Sequence, residues 1–418
     1  MRSFFKVKGG YFYGWVIVAA FIVIGTNLWG LRSSFGIFFK SIASDFELNR
    51  ATTSAIFSIY MLFGSAFALL GGLVLDRYGP KIVVFFMGLL AGLSLFLTSQ
   101  TNVAWQLFFS YSFFLSCGTS SMHVIVTSTV SRWFEKKRGL ALGIAGQGKG
   151  LGTVIIAPFA TYLIANLEWR SAYLVIGLIT WLLVIPLSWL LKKEPAVIGF
   201  LPDGVNSDSS NIDGQIPVIE EKRLPQTGLS LSQAIKTVSF WPIVFIGLFF
   251  AICHYFVFTH IVPHATDIGF TVEEAAIILS LLGGSTVASR VLMGAMSDRI
   301  GRKLTAIGCA LLQTGVMLLL IWVRELWMLY VFALLYGFAY GGFSPGFSAL
   351  IGDTFGLSHI GVIMGMQDVG FGVGAALGPA MGGLVYDITG SYTIAFSIAA
   401  SAIFMVALLV IPIKRETK

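Results

Sequence analysis

The sequence predicts an all-α membrane protein with twelve transmembrane helices, arranged as two six-helix halves related by pseudo-two-fold symmetry. Three observations carry that expectation. The 418 residues are 56% hydrophobic and only 11% charged, against about 25% charged residues in soluble domains. The apolar residues gather into twelve runs, near 11–35, 54–75, 82–100, 105–130, 139–165, 170–191, 239–262, 275–297, 304–323, 326–350, 361–385 and 391–413. Each is close to the roughly 20 residues that cross a bilayer. Finally, a loop motif after the second run recurs after the eighth.

The N-terminal MRSFFKVKGG has no short apolar core followed by a small-residue cleavage site, so span 1 is expected to act as an uncleaved anchor. Spans 1–6 fill residues 1–191. The following stretch is rich in Pro, Ser, Asp and Gly and reads as a cytoplasmic linker, residues 192–236. Spans 7–12 fill residues 237–418. With the N-terminus in the cytoplasm, twenty of the 27 Lys and Arg fall on the cytoplasmic side. Four (Lys40, Arg50, Arg170, Arg324) fall outside and three (Arg32, Lys149, Arg290) within spans. This asymmetry is the positive-inside signal for both termini in the cytoplasm. The net charge of +7 is therefore topogenic and not a footprint for nucleic acid.

Cys117, Cys253 and Cys309 all stand in apolar runs, which suggests neither a disulfide framework nor a metal site, and no cofactor is expected. His123, His254 and His260 lack metal-ligand spacing and have no nearby carboxylate pair, which argues against an enzyme. No selectivity ring or filter suggests a channel. The stretch GIAGQGKG, residues 143–150, has the outline of a phosphate loop. However, Gly150 stands where such a loop needs the Ser or Thr that holds magnesium. Lys149 is also the one charge in residues 139–165, so the run reads as a membrane span that carries a lysine.

The repeated motif is GLVLDRYGPK (Gly72–Lys81) and GAMSDRIGRK (Gly294–Lys303), at an offset of 222 residues. Its glycines suit a short turn. Its Asp and Arg residues (Asp76, Arg77, Asp298, Arg299), with Gly72 and Gly294, are expected to lock the cytoplasmic ends of the halves together. On this motif the chain resembles the major facilitator superfamily, with Pro80 in the first copy where Arg is usual. Three further runs are similar to the monocarboxylate transporter family and its bacterial oxalate–formate relatives: GYFYGWVIVAAFIVIG, RWFEKKRGLALGIAGQGKGLG and THIVPHATDIGF. That resemblance implies small carboxylate substrates, moved by proton coupling or by anion exchange.

Charges inside the membrane cost at least ~2.5–3.5 kcal/mol each at a helix centre, so they mark function. Arg290 is the single charge of residues 275–297 and lies roughly 12 Å along the helix from Asp298, near the midplane. Its guanidinium matches a carboxylate bidentately and stays charged. The resemblance points the same way, because the family's span-8 arginine falls here; the aspartate usual four residues earlier is Thr286 in this chain. Lys149 lies roughly 16 Å past Arg138 and reads either as a second substrate cation or as the partner of Asp368.

Asp368 is the one acid well inside a span, and is either a proton-coupling group or the partner of Lys149 or Arg290. Dicarboxylate-exchanging relatives have a lysine where Gln367 and Asp368 stand, which favours a monocarboxylate unless Lys149 supplies the second charge. Arg32, near the outer end of span 1, can snorkel to the interface. His260 and Asp267 suit a proton entry site, and the family commonly carries their VP-x-A-T-D-x-G run. His123 reads equally as a hydrogen-bonded interior residue or a functional one. The resemblance implies an apolar wall for a small organic anion from Asn27, Leu28, Cys117, Tyr336, Tyr340 and Phe343, whose spans line the superfamily's cavity, and Gln367 is a further candidate for substrate contact. The resemblance adds weight to Tyr340, since relatives place a substrate-contacting aromatic there.

The expected function is secondary active transport of small monocarboxylates such as lactate or pyruvate, by proton symport and alternating access. The alternative is an exchanger of the oxalate–formate type. The expected partners are the carboxylate, protons and the lipid bilayer. A monomer in the cell's inner (plasma) membrane is expected.

Overall fold

Residues 6–7, 10–48, 50–204 and 228–416 are described by a computed structural model. Among them, twelve helices are long and apolar enough to cross a membrane. Spans 1–6 are Gly14–Phe39, Ala55–Tyr78, Pro80–Ser99, Ala104–Trp133, Arg138–Asn166 and Trp169–Ser188. Spans 7–12 are Phe240–Asp267, Ile277–Ile300, Arg302–Trp322, Leu326–Phe355, Ile360–Thr389 and Thr393–Val410. An apolar run in hydrocarbon has no water to satisfy its backbone, so it closes its hydrogen bonds within the segment as a helix. Several helices continue past their apolar runs. The helix of span 1 extends to Asp45, and spans 7 and 11 run to Asp267 and Thr389.

The packing repeats across the two halves. Span 1 lies on span 5 and span 3 on span 6; span 7 lies on span 11 and span 9 on span 12 in the same way. The halves meet through span 2 against span 11 and span 8 against span 5, a pair of contacts related by the same symmetry. Glycines make both crossings possible. A Cβ on Gly72 would sit 2.2 Å from the carbonyl oxygen of Gly361, and one on Gly294 would sit 2.4 Å from that of Gly139. Both pairs are related by the 222-residue offset of the loop motif. The motif's turns are closed by Gly79 and Gly301, at φ +82° and +109°, a region open to glycine at little cost. Leu62, Phe86, Leu182, Trp322 and Leu384 are exposed on the outer faces, as lipid contact requires.

Twelve spans put both chain ends on one face. The expected linker, residues 192–236, falls mainly on residues 205–227, which lie outside the described ones. Its flanks belong to the terminus-bearing face. Trp133 Nε1 donates to the Lys192 carbonyl at 3.0 Å and Lys193 Nζ to the Asp76 carbonyl at 2.6 Å. Asp203 accepts from the backbone amides of Glu135 and Lys136. On the other side of the linker, the Leu229 amide donates to the Phe355 carbonyl.

Candidate functional site

A cavity of about 160 Å³ lies between the halves and is lined from spans 1, 2, 4, 5, 7, 8, 10 and 11. It is small beside the ~300–1,000 Å³ of sites for drug-sized ligands. Arg32, Lys149 and Arg290 all line it, so the three basic residues well inside the apolar runs of the sequence converge on one place. Arg32 does not snorkel outward. Its helix runs 32 residues, about nine turns, from Gly14 to Asp45, which leaves residue 32 well inside it. Arg32 Nη2 donates to the Tyr255 hydroxyl at 2.6 Å and contacts Met61 Sδ at 3.1 Å.

Span 5 positions the other two cations. Its helix is interrupted at Gly146 and Gln147, between Arg138–Ala145 and Gly148–Asn166. The Gly146 carbonyl at this break accepts from Arg290 Nη1 at 2.6 Å. Gly143 allows the approach, because a Cβ there would lie 2.2 Å from the Arg290 carbonyl oxygen. The glycine-rich GIAGQGKG stretch is thus a helix crossing and a carbonyl for Arg290. Arg290 is 7% exposed, and its buried Nε has no hydrogen-bond partner. Lys149 Nζ donates to the Tyr340 hydroxyl at 3.2 Å and lies 5.8 Å from the centre of that ring. Among the described residues no carboxylate lies within ion-pair distance of Arg32, Lys149 or Arg290.

Tyr340 is sandwiched between His254, at 3.8 Å between ring centres, and Phe250, at 5.3 Å. Phe343 stacks on Phe250 at 4.6 Å. Leu28, Phe343 and Gln367 line the cavity with Tyr340; Asn27, Cys117 and Tyr336 do not. Asn27 is fully buried with both amide atoms unpartnered, and Tyr336 faces Cys253 instead.

Asp368 also lines the cavity, but neither Lys149 nor Arg290 is its partner. Its two carboxylate oxygens lie 3.0 and 3.1 Å from Nδ1 of His123, which comes from the other half. His260 and Asp267 are elsewhere. The buried His260 donates from Nε2 to the Pro379 carbonyl at 2.9 Å and accepts at Nδ1 from the Tyr392 hydroxyl at 3.3 Å. Asp267 is exposed at the end of span 7, beside Tyr386.

On the terminus-bearing face the two motif aspartates perform matching tasks. Asp76 accepts from the amides of Gly361 and Val362, which start span 11, at 3.1 and 3.0 Å. Asp298 accepts from the amides of Gly139 and Leu140, which start span 5, at 2.9 and 3.0 Å. Each half thereby caps a helix of the other, and a carboxylate at a helix start is favoured by the exposed amides and the helix dipole. Arg132 Nη2 supports Asp76 at 2.7 Å, Arg138 pairs with Asp353 at 2.5 Å, and Arg302 also pairs with Asp353. Arg77 and Arg299 stay exposed and outside this network. The closure is on the terminus-bearing face.

Sequence reasoning singled out Arg290, Lys149 and Asp368 but missed Tyr255, Phe250 and the His123 pairing. The signal for Arg32 was present, because it is one of three basic residues well inside the twelve apolar runs of the sequence.

The profile described as Major Facilitator Superfamily matches residues 16–295 and 244–418. The chain is 26% identical over 392 residues to monocarboxylate transporter 13 of Rattus norvegicus, covering 93% of this chain and 86% of that one. It is also 26% identical over 407 residues to monocarboxylate transporter 11 of Homo sapiens, covering 94% and 81%. Among solved structures it is similar to FucP, a Major Facilitator Superfamily transporter in the outward conformation, with a TM-score of 0.71 at 14% identity, covering 94% of this chain and 97% of FucP. A variant of the E. coli fucose:proton symporter FucP aligns with a TM-score of 0.69. With its helix order, its paired halves and the profile match over nearly its whole length, the chain belongs to the Major Facilitator Superfamily and is a transport protein of secondary-active, alternating-access type.

Proposed function

We propose that this transporter carries small monocarboxylates of the lactate or pyruvate kind, in symport with a proton, across the cell's plasma (inner) membrane. It would act as a monomer with both termini in the cytoplasm. The observation that carries this reading is Arg290: a buried guanidinium facing a small mid-membrane cavity, with an unpartnered Nε and no carboxylate beside it. A buried charge is retained when something completes it, and a carboxylate fits the fork that Arg290 presents. Tyr340 and Lys149 would hold the anion's other polar edge, and Phe250, Phe343 and Leu28 its carbon atoms. The similarity to proteins named as monocarboxylate transporters supports the same substrate class.

Binding would draw the halves together around the anion. Reopening on the terminus-bearing side requires release of the Asp76 and Asp298 caps, so substrate binding and the latch act on one equilibrium. A second reading, carboxylate exchange without a proton, is favoured by the three unpaired cations, which suit a dianion better than a monoanion. Labelled L-lactate uptake into proteoliposomes, with and without an inward proton gradient, separates the two. Gradient-driven accumulation that disappears in Arg290→Ala supports symport. Lactate uptake that ignores the gradient, together with oxalate exchange in preloaded vesicles, supports exchange. Silence with both substrates overturns the carboxylate reading.

A further inference from the structure

We infer that the proton-carrying element of this transporter is the His123–Asp368 pair, which bridges the two halves inside the cavity; this rests on the proton-symport reading above. His123 belongs to span 4 and Asp368 to span 11, so the contact is made or broken when one half turns against the other. Both residues line the same cavity as the three cations. The His123 side chain is 35% exposed and that of Asp368 13%, so water in the cavity reaches the pair from the histidine side. Both carboxylate oxygens are engaged by one imidazole nitrogen, which leaves the carboxylate committed to the histidine and not to substrate.

The surroundings provide the coupling. The charged and titratable groups facing the pair across the cavity are Arg32 from span 1, Tyr60 from span 2, Lys149 from span 5, Arg290 from span 8 and Tyr340 from span 10. Span 7, packed against span 11, contributes Tyr255 through its bond to Arg32. Asp368 shares the cavity with Arg32 and Lys149 and is ion-paired to neither. With the cavity empty, three positive charges oppose the arrival of a proton. An anion seated against Arg290 and Lys149 cancels much of that field, so a proton then settles on the His123–Asp368 pair more readily. By linkage, a proton on the pair favours the anion equally. Reorientation with neither or with both bound gives symport. The proton is held as the imidazolium–carboxylate pair and leaves to water as His123 and Asp368 separate; no other bond changes.

His260 and Asp267 lie outside this arrangement. His260 has both ring nitrogens occupied by Pro379 and Tyr392, and Asp267 faces solvent at a helix end.

The experiment uses the full chain in proteoliposomes with labelled L-lactate. One proton per anion gives about tenfold accumulation for a gradient of one pH unit. Asp368→Asn and His123→Gln are expected to lower this to simple equilibration, about onefold. Lactate counterflow in preloaded vesicles without a gradient, which needs no net proton movement, is expected to persist in both. His260→Gln and Asp267→Asn are expected to keep the tenfold accumulation. Retained accumulation in both pair variants overturns the inference, as does loss of counterflow together with accumulation, which would make the pair a binding or structural element. Loss of accumulation in Asp267→Asn with the pair variants intact moves coupling to the outer end of span 7. Wild type that moves no lactate in either assay overturns the underlying symport reading, and the inference with it.

Discussion

Replacing Asp76 by alanine should open the terminus-bearing face. The Asp76 carboxylate accepts three hydrogen bonds, from Arg132 Nη2 and from the amides of Gly361 and Val362. All three link span 2 of one half to an element beside the crossing, and two of them reach directly into the other half. Arg132 is 1% exposed. Without Asp76 it keeps one carbonyl, that of Leu357, for its Nε and Nη2, while its Nη1 already lacks a partner. Removing one side of a buried ion pair typically costs about 3–5 kcal/mol. The loss applies to the closed arrangement, where the bonds exist, and so acts on the conformational equilibrium more than on folding. At ~1.4 kcal/mol per factor of ten, the shift is between about a hundredfold and a few thousandfold toward the open arrangement. Spin labels at Lys81→Cys and Arg299→Cys, both exposed and on opposite halves of this face, report it as a longer inter-label distance. The labelling background replaces Cys117, Cys253 and Cys309. An unchanged distance distribution in a folded Asp76→Ala protein refutes the view that these bonds hold the face shut.

Three further outcomes follow from the same geometry. Gly361→Ala places a methyl 2.7 Å from the Gly72 carbonyl oxygen and 2.8 Å from Asp76 Oδ1, so it should reproduce the Asp76→Ala distance change through sterics alone. Lys149→Met should raise the half-saturating lactate concentration by roughly 10–100-fold, the value of about 1.5–3 kcal/mol for a hydrogen bond to a charged group; an unchanged value in uptake assays removes Lys149 from the binding site. His260→Phe discards two buried hydrogen bonds, so it should lower the melting temperature in a detergent thermal-shift assay while leaving gradient-driven accumulation intact.

The fold was legible because the membrane reduces the problem to length and composition. Each apolar run has to close as a helix, and the 222-residue repeat announces two like halves before any contact is known. The ends were less legible. Hydropathy stops at the first polar residues, whereas the helix of span 1 continues to Asp45, and that extra length is why Arg32 lies deep in the bundle and not at its rim. Arg290 and Lys149 could be singled out from expense alone, since a charge at mid-membrane is retained for a purpose. Their partners could not. Whether Asp368 meets Lys149, Arg290 or His123 depends on how spans 4 and 11 are rotated about their axes, and the nearly uniform apolar surface of a membrane helix leaves little periodicity to fix that rotation. The motif predicts that its aspartates lock the halves together, without showing through which groups. Their backbone partners, the first amides of spans 5 and 11, carry no side-chain signature and became visible only in three dimensions.

The reciprocal caps have one more consequence. Asp76 serves the start of span 11 and Asp298 the start of span 5, so the lock is isologous: the same patch meets itself across a two-fold axis. A six-span chain with one such aspartate and one glycine at the start of its fifth span already contains both sides of it. In a symmetric pair of separate chains every substitution appears twice and both sides change together. Within one polypeptide that constraint is absent, and the two sides here differ. Asp76 is backed by the fully buried Arg132, at 2.7 Å, while Asp298 has Arg302 at 3.8 Å. The two catches therefore differ in kind: the span 11 side rests on a buried arginine of the same half as its aspartate, the span 5 side on the Arg138–Asp353 ion pair across the halves.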